Sequence, residues 1–214
     1  MERNIPTREE MQEALIKRHG AELQKRFCEG SVAICGLGGL GSNVAISLAR
    51  AGVGRLHLID FDCVDLSNMN RQQYQVTQIG MPKTEALAHN LAQIAPYVDV
   101  KIDQVKVTPE NLKELLKEEQ IICEAFDVAE QKAMLVNGVL STFPDKFLVA
   151  ASGMAGMDCG NLIQTKRMLK RFYMCGDGVS DVADGIGLVA PRVMLCAAQQ
   201  AHTILRILAG QYEV

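Results

Sequence analysis

Gly36, Gly38, Gly39 and Gly41 crowd the run from Cys35 to Ser42, between a short apolar stretch and an apolar helical pattern. Without a Cβ, the backbone at such positions can approach an anion closely, and a following helix N-terminus adds free N–H groups and a positive dipole. Taken alone, a G-x-G-x-x-G run is equally a tight turn between buried elements. Asp60 follows the glycines by roughly 20 residues, where a doubly wound nucleotide fold places the carboxylate that accepts hydrogen bonds from a ribose. Ser67, Asn68, Asn70, Arg71, Gln72 and Gln73 then crowd the next loop. A hydride-transfer site needs apolar walls around a nicotinamide, whereas this loop offers amide and guanidinium donors, which suit a polyphosphate. The residues point to a nucleoside triphosphate, with an NAD-dependent oxidoreductase as the rival reading.

Positioning these groups takes an alternation of strands and helices. Ser31 to Cys35 reads as a buried strand, and Ser42 opens a helix through Val44, Ala45, Leu48 and Ala49. Further strands are predicted at Arg55 to Asp60, Val98 to Ile102, Ile121 to Phe126 and Phe147 to Ala151, with a helix from about Ala129. Gly160 to Thr165 is expected to begin a short antiparallel extension. The sum is an α/β, doubly wound, mostly parallel sheet with a Rossmann-like nucleotide site and a small antiparallel extension. Asp127, at the end of the Ile121 strand, reads either as the N-cap of the next helix or as a Mg²⁺ ligand, since hard cations select oxygen.

Pro82 is placed to open a helix carrying Leu87, Leu91 and Ile94 on one face. Lys83 falls in its first turn, where the dipole disfavours a cation by about 0.3–1 kcal/mol, so it reads as a solvated surface lysine unless an anion lies nearby. Thr108-Pro109 is expected to cap a helix with Leu112, Leu115 and Leu116. Thr7 and Glu10 form a capping box opening a polar helix or helix pair to about Phe27. Residues 1–30 are therefore read as an N-terminal helical arm and 31–214 as the nucleotide-binding domain. Gly176 to Gly187, with four glycines and Asp177, Asp181 and Asp184, is expected to be mobile. Pro191 starts a long helix, apolar almost all round through Leu195, Ala198, Ile204, Leu205 and Leu208, as a buried or dimer-interface helix would be.

G-L-G-G-L-G-S, R-A-G-V-G-R-L-H-L-I-D-F-D and S-N-M-N-R-Q together resemble the ThiF/MoeB family, relatives of the ubiquitin-activating enzymes. G-M-P-K at Gly80 to Lys83 and the strand-ending Asp127 extend the resemblance over most of residues 31–210. It implies an enzyme that uses ATP and Mg²⁺ to adenylate the C-terminal Gly-Gly carboxylate of a small ubiquitin-like carrier. It assigns Arg71, Lys83 and Asp127 to catalysis, with Asp127 on the metal, and Gly36, Gly38, Gly39, Gly41, Asp60, Asp62, Asn68 and Gln72 to the nucleotide. The short length and the segment E-A-F-D-V-A-E-Q-K look most like a compact ThiF branch acting on a ThiS-like sulfur carrier of thiamine synthesis. The carrier of molybdopterin synthesis is the alternative, and a non-catalytic carrier-binding scaffold a third. The resemblance further implies a homodimer in which Arg8 or Arg18 reaches the partner subunit's ATP site. It also makes Gly176 to Gly187 a crossover loop over the carrier's tail. Cys175, just before that loop, is either a thiol of sulfur transfer or structural. Many relatives bind zinc through two C-x-x-C pairs; none exists here and the four histidines stand apart, so no zinc is expected.

A chain of 214 residues with net charge −3 suits one domain with a sizeable core and shows no basic patch for nucleic acid. No apolar run reaches membrane-span length and the N-terminus lacks a signal-peptide core. Seven cysteines spread singly, several inside apolar strands, are the pattern of reduced thiols in a cytoplasmic protein.

Overall fold

Continuous apolar runs bury both faces of a strand, and the central strands do so: every residue of β1 (Ser31–Cys35) and β2 (Arg55–Ile59) after the first is buried. The computed structural model describes residues 5–185 and 187–214, together with all side chains among them except that of Asp184. The first four residues of the expected arm and the side chain of that loop acid thus lie outside what is described. With β3 (Asp99–Asp103), β4 (Ile121–Glu124), β5 (Phe147–Ala151), β6 (Gln164–Leu169) and β7 (Phe172–Gly176), the strands form one seven-stranded sheet. Its order is β3-β2-β1-β4-β5-β7-β6, parallel throughout except for the antiparallel pair β6–β7. This is the expected fold class, with the antiparallel extension beginning at Gln164 rather than Gly160. β7 was not foreseen in the sequence; its run F-Y-M-C-G is short and ends in glycine.

Register decides where chemistry can gather. Cys35 is level with Ile59 on one side and Glu124 on the other, so the chain leaves β1, β2 and β4 at the same height. β1 lies between β2 and β4, and the connections depart to opposite faces of the sheet there, which makes a crevice beyond the strand ends. One face is covered by α3 (Gly39–Arg50), α4 (Lys83–Ile94) and α7 (Ala190–Leu208), packing Val44, Leu48, Leu87, Leu91 and Ile204 on Ile34 and Leu58. The other is covered by α5 (Leu112–Leu115) and α6 (Ala129–Thr142), with Leu112, Leu135 and Val139 against Ile122 and Leu148.

Local expectations fared unevenly. The Thr7–Glu10 capping box opens α1 (Arg8–His19), and α2 (Ala21–Cys28) follows at once. α1 buries nothing, while α2 buries Gln24 and Phe27. Thr108 caps no long helix: α5 is a single turn with Asn111 as N-cap, and the Asn111 side chain accepts from the Thr108 N–H at 2.9 Å. α7 begins one residue before Pro191 and buries one face in the domain while leaving apolar side chains exposed on another. Val193, Cys196, Ala197 and Ile204 are buried, whereas Met194 and Leu195 are exposed. No helix among the described residues is long and apolar enough to cross a membrane.

Candidate active site

The crevice beyond β1, β2 and β4 is a cavity of about 470 Å³. Its lining brings together Gly36, Gly38, Gly39, Asp60, Asp62, Arg71, Lys83 and Asp127, residues drawn from distant parts of the chain. Gly41, Asn68 and Gln72, also assigned to the nucleotide from the sequence, do not line it. Gly41 sits where a Cβ would be driven into the Gly36 carbonyl oxygen, so it is the close-packing glycine between β1 and α3. Gly36 has φ +92°, and a Cβ there would come within 2.7 Å of the Ala125 carbonyl oxygen; it lets the glycine turn lie against the turn after β4. Gly38 is the glycine with room beside it, the nearest atom to a built Cβ being Gln72 Nε2 at 3.8 Å. It is the N-cap of α3 and has no side-chain cap, leaving the first-turn N–H groups free of side-chain partners.

Asp60 is buried and clamps this turn. Its Oδ2 accepts from the Leu37 N–H at 2.6 Å and its Oδ1 from the Asp62 N–H at 2.8 Å. Burial pushes its carboxyl above the ordinary carboxylate range, against the opposing pull of the Lys83 ammonium. Lys83 is not the solvated lysine its first-turn position suggested. It is 6% exposed, and its Nζ lies 3.0 Å from Asp62 Oδ2. The carboxylate, absent from a one-helix view of the dipole, is what makes a cation tenable there.

The polar loop behaves differently from expectation. Two of its amides are spent on positioning: Gln73 Nε2 donates to Asn43 Oδ1 at 2.7 Å and Asn70 Nδ2 to the Leu188 carbonyl at 3.0 Å, while Asn43 Nδ2 of α3 donates to the Arg71 carbonyl at 3.2 Å. Tyr74 donates its hydroxyl to the Leu37 carbonyl at 2.8 Å, tying the loop to the glycine turn. The outcome is that one side chain of the run, Arg71, reaches the cavity. Asn70 Oδ1 accepts from its Nη1 at 2.9 Å, and its Nε is buried with no hydrogen-bond partner.

Asp127 lies two residues beyond Ala125, exposed and facing the same cavity. The N-cap of α6 is Val128 and no side chain caps that helix, so the capping reading of Asp127 does not hold. Among the described residues no group of three His, Cys, Asp or Glu side chains could hold a metal by itself. Mg²⁺ takes one or two carboxylates and completes its shell with phosphates and water. Asp127, one of the cavity's carboxylates beside Asp60 and Asp62, could supply such an oxygen ligand.

Several lining residues escaped the sequence reading. Lys132 is one, and its signal was a glutamate, Glu124, inside the apolar run I-I-C-E-A-F, which a buried strand tolerates only with a cation partner. Phe61 and Lys106 are others, the ammonium lying 5.7 Å from the ring centroid at the β2–β3 end of the cavity. Arg192 of α7 anchors the far wall: its guanidinium donates to the Ala155 carbonyl at 2.9 Å and to Asp177 Oδ2 at 2.6 Å. Asp177 also accepts from the Val179 and Ser180 N–H groups, and, against burial that would raise its carboxyl, these bonds and Arg192 together hold it at about 2. It is a structural anchor of the glycine-rich loop rather than a free loop acid. Arg8 donates to the Tyr97 carbonyl at 3.2 Å, and neither it nor the exposed Arg18 lines the cavity. Cys175 sits in β7, fully buried, and burial raises its thiol.

The profile of the ThiF family matches residues 11–214. The adenylyltransferase and sulfurtransferase MOCS3 of Dictyostelium discoideum is 27% identical, over 92% of this chain and 49% of that protein. A molybdopterin-synthase adenylyltransferase of Haemophilus influenzae is 34% identical, over 56% of this chain and 50% of its own length. The chain thus spans about half the length of these curated relatives. The fold matches that of an E. coli tRNA N6-threonylcarbamoyladenosine dehydratase solved with ATP, with TM-score 0.85, 20% identity, and coverage of 97% of this chain and 98% of the other.

Proposed function

The chain belongs to the ThiF family, and from that premise we propose that it is an ATP-dependent adenylyltransferase acting on the C-terminal Gly-Gly carboxylate of a small ubiquitin-like carrier. The observation that carries the proposal is the cavity in which Gly38, Asp60, Arg71, Lys83 and Asp127 converge. A terminal carboxylate has a pKa of about 3.5, so it arrives as an anion and needs no general base. That accounts for a site without a Ser/His/Asp set. A carboxylate oxygen forms the new bond to the α-phosphorus, the bond from that phosphorus to the bridging oxygen breaks, and pyrophosphate departs with the electron pair. The obstacle is bringing one anion against another, so catalysis reduces to positioning and neutralisation of charge.

Each residue then has a part. The glycine turn and the α3 N-terminus receive phosphate oxygens, Asp60 accepts from the ribose, and Arg71 meets charge on the departing pyrophosphate. Lys83, held against Asp62, turns toward the triphosphate as it enters. Asp127 would hold Mg²⁺, which would supply charge neutralisation at the phosphates. Residues 31–214 form the adenylating domain and 1–30 its helical arm. The protein is cytoplasmic and works as a homodimer, to which the exposed Met194 and Leu195 of α7 lend support.

We take the carrier to be a ThiS-like sulfur carrier of thiamine synthesis. The carrier of molybdopterin synthesis is the second reading, and the name of the H. influenzae relative favours it. Pyrophosphate exchange into ATP, measured with each purified carrier, decides: exchange with one alone identifies it, and exchange with neither refutes carrier adenylation. Calorimetry should give Mg-ATP binding, while NADH binding with none for ATP would return the oxidoreductase reading.

Asp60→Ala should weaken ATP binding by roughly 1–3 kcal/mol, through lost ribose contacts and through release of the Leu37 N–H it clamps. An unchanged ATP dissociation constant would remove Asp60 from the site. Cys175→Ser should leave exchange essentially intact, because adenylation uses no thiol. Thr165 Oγ1, 3.4 Å from the sulfur, can receive the new hydroxyl, so the stability cost stays near the low end of about 1–3 kcal/mol. Collapse of exchange in folded Cys175→Ser protein would place the thiol in the first half-reaction.

A further inference from the structure

Glu124, the last residue of β4, is fully buried, and its carboxylate is used at close range. Oε1 accepts from the Phe126 N–H at 2.8 Å and from Lys132 Nζ at 2.9 Å, and Oε2 lies 2.9 Å from the same ammonium. Lys132, one turn into α6, also donates to the Phe126 carbonyl at 2.9 Å. Both ends of the Phe126 backbone are therefore fastened to one ion pair, and the next residue is Asp127. From the other side, Gln200 of α7 donates to the Glu124 carbonyl at 2.8 Å. The Ala125 N–H donates to the Cys35 carbonyl at 2.8 Å, and the Ala125 carbonyl abuts Gly36. The knot thus fixes the turn after β4 against the glycine turn after β1.

Stability alone does not ask for this arrangement. Burial pushes the Glu124 carboxyl upward and Lys132 opposes it, and a buried ion pair can usually be exchanged for apolar residues at little or no cost. What an apolar pair could not supply is a set of directed bonds to the peptide that carries Asp127 into the cavity. We propose that Lys132, paired with Glu124, is a positioning residue that sets where Asp127 stands relative to the glycine turn, and so tunes the affinity for metal-bound nucleotide. The inference rests on the reading of Asp127 as the protein's carboxylate toward the metal. Outer partners that orient a metal-binding group are commonly worth a factor of 10–100 in affinity or activity.

The test is a double-mutant cycle read by calorimetry, with ATP titrated in Mg²⁺ and again in EDTA. Lys132→Met should weaken Mg-ATP binding by roughly 10–100-fold and change binding in EDTA little. Lys132→Arg, whose fork can reach both the carboxylate and the Phe126 carbonyl, should restore most of the loss. In an Asp127→Ala background, Lys132→Met should add no further loss, because the group it positions is gone. Equal losses in the two backgrounds, or equal losses with and without Mg²⁺, would overturn the inference while leaving the nucleotide site standing. Should Lys132→Met fail to fold, Glu124→Gln, which keeps an acceptor for the Phe126 N–H, is judged by the same criteria. Absence of ATP binding by the unsubstituted protein in either buffer would overturn the nucleotide reading, and the inference with it.

Discussion

Arg71→Ala is expected to lower carrier-dependent pyrophosphate exchange by about 10²–10³, the cost of removing one preorganised group aimed at developing charge. The guanidinium is held at the cavity wall by Asn70 Oδ1, and the aliphatic stem backs onto Gly39, from which a built Cβ would lie 3.2 Å from Arg71 Cγ. Its buried Nε has no hydrogen-bond partner, an arrangement that costs stability unless an anion is bound. Loss of the side chain should for that reason leave thermal stability nearly unchanged or slightly improved while activity falls. Arg71→Lys should recover only part of the rate, because an ammonium cannot reproduce the planar fork. Folded Arg71→Ala protein with undiminished exchange would take the residue out of the site.

Gly41→Ala should be the most damaging single-methyl change in the glycine run, although Gly41 does not line the cavity. The added Cβ meets the Gly36 carbonyl oxygen and carbon, both backbone, so no flexible side chain can yield. β1 and the start of α3 must separate, at the upper end of the roughly 1–3 kcal/mol that overpacking costs, or beyond it. For a domain of this size that lowers Tm by about 6–12 °C. ATP affinity should fall as well, because the same turn carries Leu37 and Gly38. Gly38→Ala is the contrasting case: with nothing nearer than 3.8 Å, it should melt as the unsubstituted protein does and lose affinity for ATP alone. A melting temperature for Gly41→Ala within a degree or two of the parent would refute the packing assignment.

The sequence carried those parts of the molecule that depend on local pattern. β1, the glycine turn, β2 and Asp60 follow one another with little between them, and the alternation of buried strands and amphipathic helices was enough for the fold class. What stayed hidden depends on partners distant in the chain. Lys83 looked solvated because Asp62 reaches it through the tertiary fold. The amides of the loop from Ser67 to Gln73 looked like ligand donors because their acceptors, on α3 and before α7, cannot be seen from the loop itself. Cys175 looked poised beside a mobile segment because β7 is too short to announce itself, and in place it is sealed between Thr165 and Thr203. Asp177 was read as one loop acid among three, and Arg192 makes it a fixed point.

The position of β1 between β2 and β4 has a consequence for how the protein is made. Val32 must wait for Ile121, so half of the central pairing is of high contact order and the loop between must close before it forms. Until β4 leaves the ribosome, β1 is an uncovered apolar edge, the kind of surface on which nascent chains pair wrongly with one another. The glycine turn is complete in sequence by residue 42, yet it lacks the Ala125 wall against which Gly36 rests. Competence to hold a ligand therefore arrives late and all at once, and a ligand that waits in the cell at high concentration would draw the last pairing to completion by mass action.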